Sequence, residues 1–295
     1  MDILEKLKTA FRNGTALTQL IFINVGIFVL LQTVLIVFRL FNGSADFIVG
    51  YLTLPADLSA LLLRPWTVLS YMFLHEEFFH ILFNMFALYW FGKLFLMFYN
   101  EKQLVGLYLV GGFVGALVYV AAFNLFPYFL PVVPVSVVLG ASGSIMAVIV
   151  ATALQSPNME MRMLFVGNVK LKYIAIIAVL MSFFGVTSNN AGGEIVHLGG
   201  ALAGYIFIVS LRQGKDFTRG ISKVIDVFTD LFKPRKLKIK PNKSRSKGKM
   251  SDAEFNVNKA RRMEEIDRIL DKIKTSGYDS LSSEEKKRLF EQGKN

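Results

Sequence analysis

Six runs of apolar residues, at about 18–38, 78–99, 103–123, 142–155, 172–186 and 194–211, alternate with short polar segments over the first two thirds of the chain. Each is as long as a bilayer-crossing helix or nearly so, and none carries more than one charged residue, so the pattern predicts a helical protein that crosses a membrane several times. The fourth run is short. Fourteen residues at about 1.5 Å each cover only about two-thirds of a ~30 Å hydrocarbon core. The stretch before it, 127–139 with three prolines, is therefore expected to enter the membrane as non-helical chain, which is stable only where protein or water covers the backbone. A recessed, wet cavity open to the outside follows.

Between the first two runs lies a long, half-apolar loop, 42–77, read as an outer-leaflet hairpin. Residues 1–16 form a short polar lead. Beyond 211 the pattern changes. Phe217, Ile221, Val224, Ile225, Phe228 and Phe232 recur at helical spacing and predict an amphipathic helix over 217–232 that lies along the inner surface. Ser251 with Glu254 has the form of a capping box before a helix reaching about 273–275. Gly277 then breaks that helix, and Ser282 with Glu285 starts another. The expected divisions are thus 1–16, a membrane domain over 17–211, a linker over 212–250 and a small helical piece over 251–295.

Charge sharpens this division. The chain carries 33 Lys and Arg against 22 Asp and Glu, a formal +11. Up to Leu211 there are ten basic and nine acidic residues; the remaining 23 basic and 13 acidic residues all follow. Basic residues flank the lead, the turn at 93–102, the loop with Arg162, Lys170 and Lys172, and the tail. The intervening loops are acidic or neutral, so the positive-inside rule puts both termini in the cytoplasm. The basic run at 233–249 would meet anionic lipid; without interleaved aromatic residues it does not suggest nucleic acid. The first apolar run lacks a cleavage signature and reads as a span rather than a signal peptide. With no cysteine, disulfides and thiolate chemistry are excluded.

Polar side chains inside hydrocarbon are costly and each asks for a function. His80 and Asn84 share one face of the second run, Ser142 opens the fourth, and His197 sits near the start of the sixth. Counted inward at the helical rise, all three positions fall at one depth, several ångströms below the outer surface. Gly143, Ala147 and Ala151 below Ser142, and Gly200 with Gly204 below His197, form two small-residue faces suited to close helix approach. If those faces meet, a serine hydroxyl and an imidazole come together beside the unpaired N–H groups of a helix start, which is the minimal acyl-transfer nucleophile. No carboxylate is placed to complete a triad: Glu194 reads as an interfacial charge on the outward side. Ser70, Ser136, Ser144 and Ser182 read as packing or interface residues, and Gly111 and Gly115 as helix packing.

Four motifs in this order resemble the rhomboid intramembrane serine proteases: Pro65-Trp66 with 70–75, His80-Ile81-Leu82-Phe83-Asn84, Gly140-Ala141-Ser142-Gly143, and His197-Leu198-Gly199-Gly200 through Gly204. The resemblance implies an all-α membrane protein with a six-transmembrane-helix fold, an outer-leaflet loop and a small helical cytoplasmic tail. It implies Ser142 as nucleophile, His197 as base, and an oxyanion hole made by the Ser142 N–H with His80 and Asn84. Gly140 and Gly143 would shape the turn, and His75 would order the outer loop or hold water. Substrates would be membrane-anchored proteins cut in or near their transmembrane segments, with no metal or cofactor. One position departs from the family: where an aromatic residue often stacks on the histidine, this chain has Met146. Residues 266–290 resemble the C-terminal module of some bacterial rhomboids, especially of the Bacteroidetes type, implying a bacterial inner membrane. The alternative from another class is an inactive rhomboid-like protein that holds client helices. A transporter would show paired inverted repeats, which are absent from the sequence.

Overall fold

Two of the long helices start at side chains that catch free backbone N–H groups. Thr15 accepts from the Thr18 amide, and Asn100 closes a reciprocal capping box with Gln103. The computed structural model describes residues 2–163, 167–220 and 252–292, in two compact units, 1–233 and 234–295.

In the first unit the chain forms α1 (Ile3–Asn13), α2 (Ala16–Leu40), three short helices α3 (Asp46–Leu52), α4 (Leu58–Leu63) and α5 (Thr67–Ser70), then α6 (Phe78–Leu96), α7 (Glu101–Leu125), α8 (Ser142–Gln155), α9 (Leu171–Phe184) and α10 (Ala191–Arg212). All six apolar runs are helical. Four of them, α2, α6, α7 and α10, are long and apolar enough to cross a membrane; α8 and α9 have 14 residues each. Large apolar side chains such as Val29, Leu30, Phe83, Phe86, Phe113 and Met181 stand exposed on the outside of the bundle, as in a protein solvated by lipid. Most of the polar lead forms α1, with Phe11 against Phe22.

The core sits on α8, of whose fourteen residues ten are buried against α6, α7, α9 and α10. The faces of α7 and α10 turned to it are rich in glycine, because only a helix without side chains there lets backbones touch. A Cβ on Gly111 would stand 2.5 Å from Ala147 Cβ, and one on Gly199 would stand 2.7 Å from the Gly115 Cα. Gly111 and Gly115 thus serve the packing role expected of them. Asn24, fully buried on α2, donates to the Tyr108 hydroxyl (3.3 Å), which donates to the Met72 carbonyl (2.8 Å) and so fastens the loop to two helices.

Loop 42–77 is not a simple hairpin. Its three short helices are tied by side chains to backbone carbonyls: Arg64 to Gly50, Trp66 Nε1 to Tyr51 (3.0 Å), and Ser70 Oγ to Leu52 (2.6 Å). Strand β1 (Leu54–Pro55) pairs antiparallel with β2 (Val137–Val138), Leu54 opposite Val138 and Pro55 opposite Val137. The Ala56 amide extends the ladder to the Ser136 carbonyl at 3.0 Å. The backbone just before α8 thus finds its partners in protein, as the expectation required at that end, while Tyr128, Leu130 and Val135 earlier in the stretch stand exposed. Between α8 and α9, strands β3 (Glu160–Met163) and β4 (Gly167–Lys170) form a second antiparallel pair.

The second unit holds α11 (Asp252–Ser276) and α12 (Ser283–Gln292). Gly277, at φ +77°, ends the first helix. Ser282 and Glu285 form the expected capping box, the Ser282 amide reaching Oε2 of Glu285 at 2.7 Å and the Glu285 amide reaching the Ser282 hydroxyl at 3.3 Å. The greater part of the amphipathic helix, all of the basic run and Ser251 lie outside the described residues.

Candidate functional site

Gly140 turns the chain into α8. Its φ of +127° is one that residues with a side chain rarely adopt, and its amide donates to the Tyr71 carbonyl at 2.9 Å, so loop 42–77 holds the turn in place. Helix α8 then starts at Ser142 without a side-chain cap, and its first backbone bond runs from the Ile145 amide to the Ala141 carbonyl at 3.0 Å. The N–H groups of Ser142, Gly143 and Ser144 are left without helical partners and point out of the positive end of the helix dipole.

Onto this end comes His80 from α6. A Cβ placed on Gly140 would stand 3.0 Å from both Cε1 and Nε2 of His80 and 3.7 Å from the Ser142 hydroxyl, so ring and hydroxyl border one small space. Asn84, one turn further along α6 and largely buried, donates to the His80 carbonyl at 2.9 Å. One amide N–H is thereby used and the other is left. His75 packs edge-on against His80, with ring centroids 5.0 Å apart. It is fully buried, and neither of its nitrogens has a hydrogen-bond partner among the described residues, an approach by the Phe73 backbone falling short of bonding geometry. Burial first, and His80 second, push its pKa down to about 4.

Helix α10 delivers His197. A Cβ on Gly200 would strike the Gly143 carbonyl oxygen, and one on Gly204 would strike that of Ala147. The two small-residue faces meet as their spacing suggested, with His197 one turn beyond Gly200 and next to the Ser142 end of α8. No hydrogen bond joins Ser142 to His197 in this structure.

Two expectations need correction. Glu194 is not an isolated interfacial charge: its Oε2 lies 3.2 Å from Nδ1 of His197. In a helix the Cα–Cβ bond leans toward the N-terminus, so His197 reaches back to the residue three positions before it. Ser182 is not mere packing either. Buried on α9, its hydroxyl lies 3.1 Å from the same nitrogen. Met146, the departing position, packs with Val150 and Ala201.

The family model described as Rhomboid domain matches residues 63–214, which is 152 of the 295 residues and spans every side chain of this site. The chain belongs to the rhomboid family. A second model, a family of unknown function (DUF6576), matches residues 250–295, the helical piece at the C-terminal end. Comparison with curated proteins gives no match. The rhomboid family is intramembrane-protease-like, and its membership, together with the four long apolar helices, makes this an integral membrane protein. In this rhomboid the match takes in the end of loop 42–77 and all of α6, α7, α8, α9 and α10.

Proposed function

We propose that this rhomboid is an intramembrane serine endopeptidase that cuts membrane-anchored proteins in or beside their transmembrane segments. The observation that carries the reading is the meeting of Ser142 and His80 over Gly140, beside a helix that Gly200 and Gly204 press onto α8. In the reaction Ser142 Oγ bonds to the scissile carbonyl carbon and gives its proton to Nε2 of His197. The carbon–nitrogen bond then breaks, with that proton passing to the leaving amine. Water attacks the resulting ester, His197 takes its proton, and the free serine is restored with a carboxylic acid product. The carbonyl oxygen, negative in the intermediate, is met by the Ser142 N–H, the His80 ring and the second N–H of Asn84. Gly140 leaves room for the substrate backbone, whereas the side-chain position of Gly143, expected to serve the site as well, is filled by Val196 of α10 and serves packing. A substrate helix weakened by Gly or Pro is favoured, because its carbonyl has to leave helical bonding to enter.

The proposed setting is a bacterial inner membrane crossed six times, with α8 and α9 as the short spans, both termini cytoplasmic and the site open to the outer side. The basic run at 233–249 would hold anionic lipid.

A second reading, an inactive rhomboid-like protein that binds client helices, draws on the missing Ser142–His197 hydrogen bond. Labelling of purified protein with a fluorophosphonate separates the two. The protease reading requires a covalent adduct on Ser142 that Ser142→Ala and His197→Ala abolish or strongly reduce; no adduct on the wild type favours the holder.

A further inference from the structure

The base of a serine protease works only if its free lone pair faces the serine, and something has to keep the ring in that tautomer. In this chain the Nδ1 edge of His197 is occupied. Glu194 Oε2 lies at 3.2 Å and Ser182 Oγ at 3.1 Å. An ionised carboxylate has no proton to give, so a hydrogen bond between these two groups needs the proton on Nδ1. The lone pair is then on Nε2, the nitrogen left for Ser142.

We propose that Glu194 is a positioning residue for His197, making the site a Ser142–His197–Glu194 triad in which Ser182 steadies the ring from a second helix. This rests on the protease reading above. Three further observations show that the place is built. Gly185, just past the end of α9, gives the carboxylate arm its room: a Cβ there would stand 2.8 Å from Cγ and 3.0 Å from Cδ of Glu194. Ser182 and Asn190 stand beside the carboxylate. Glu194 is on the first turn of α10, where a negative charge is favoured by the helix dipole. The same three positions join α9 to α10, so the base is oriented from its own helix and from the neighbouring one.

The partnership also stabilises the imidazolium that forms when Ser142 gives up its proton. Both side chains are about one-fifth exposed, 20% for His197 and 21% for Glu194, so solvent screens the pair. The effect is therefore expected below the ~10⁴-fold loss found where a buried carboxylate partner is neutralised.

The test uses the full chain in detergent and the fluorophosphonate reaction at Ser142, resolved into maximal rate and half-saturating concentration, with thermal stability followed in parallel. Glu194→Gln is expected to lower the maximal rate about 10- to 100-fold with half-saturation unchanged. Glu194→Asp, which keeps the charge but withdraws it by one methylene, is expected to recover part of the rate, and should serve alone if the glutamine variant does not fold. Ser182→Ala is expected to lose less than Glu194→Gln, and Gly185→Ala to slow labelling by pushing the carboxylate aside. Labelling of Glu194→Gln at the wild-type rate overturns the proposal. So does a loss that Glu194→Asp shares fully and that follows lost thermal stability, since that marks a structural residue. A wild type that takes no label overturns the protease reading and this proposal with it.

Discussion

His80 Nε2 and Ser142 Oγ face the same empty position on Gly140, 3.0 and 3.7 Å from where a β-carbon would stand. A single hydrogen atom on Gly140 is thus what keeps imidazole and hydroxyl around one space. Gly140→Ala puts a methyl there and forces alanine to φ +127°, a strain of about 1–3 kcal/mol. The expected outcome is a fall in melting temperature together with loss of fluorophosphonate labelling. A variant that labels normally would show that the turn tolerates a side chain.

Among the described glycines, Gly200 has the least room for a side chain, with the Gly143 carbonyl oxygen directly in the way. Here a side chain meets a carbonyl oxygen that belongs to a packed helix and has nowhere to go. Gly200→Ala should be destabilised by about 1–3 kcal/mol, the range for overpacking, and should lose labelling in step. Gly26→Ala on α2, where an added Cβ meets nothing within 4 Å, is the matched control and should behave as wild type.

Tyr108→Phe removes the hydroxyl that joins Asn24 on α2 to the Met72 carbonyl in the loop. Two buried polar groups lose a partner, at about 1–3 kcal/mol. Thermal unfolding in detergent checks this. Because the loop carries Tyr71, whose carbonyl holds Gly140, labelling should weaken as well.

His75 gives stability a pH dependence whose sign is fixed. Its folded-state pKa, about 4, is below the ordinary value of 6.5, because a charge there would be buried and near His80. The unfolded chain takes up a proton at higher pH than the folded one. Stability from this group is complete above pH 6.5 and is lost as pH falls toward 4. Measured from pH 7.5 to 4.5, the melting temperature of the wild type should fall more steeply than that of His75→Leu; equal slopes would contradict this.

The C-terminal helices have a device of their own. Ser282→Ala removes half of the capping box with Glu285 and should destabilise α12 by about 1 kcal/mol. Loss of helix in that unit, seen by circular dichroism of the full chain, is expected with labelling at Ser142 unchanged.

Much of this was legible in the sequence where a repeating pattern carried it. The six apolar runs became helices because length and composition alone decide that in lipid. Gly143, Ala147, Gly200 and Gly204 announced the contact of α8 with α10, since small residues four apart leave a flat face. What stayed hidden was tertiary. The helices of loop 42–77 are too short for periodicity to show, and the β1–β2 pairing joins two residues with two others about eighty positions away. Asn84 reads as a free donor, yet one N–H goes to the His80 carbonyl. Ser182 meets His197 only because α9 and α10 pack together. Glu194 could have been found: its place three residues before a histidine, with side chains leaning toward the N-terminus, was sufficient signal.

The central claim is that this site cuts peptide bonds at membrane depth. The most direct measurement reconstitutes the full chain in liposomes with a single-span test protein whose helix carries a Gly-Pro weak point, and maps any new termini by mass spectrometry. The expected result is one cut within or beside the span by the wild type and none by Ser142→Ala or His197→Ala. An intact test protein with the wild type, or equal cutting by Ser142→Ala, would contradict it.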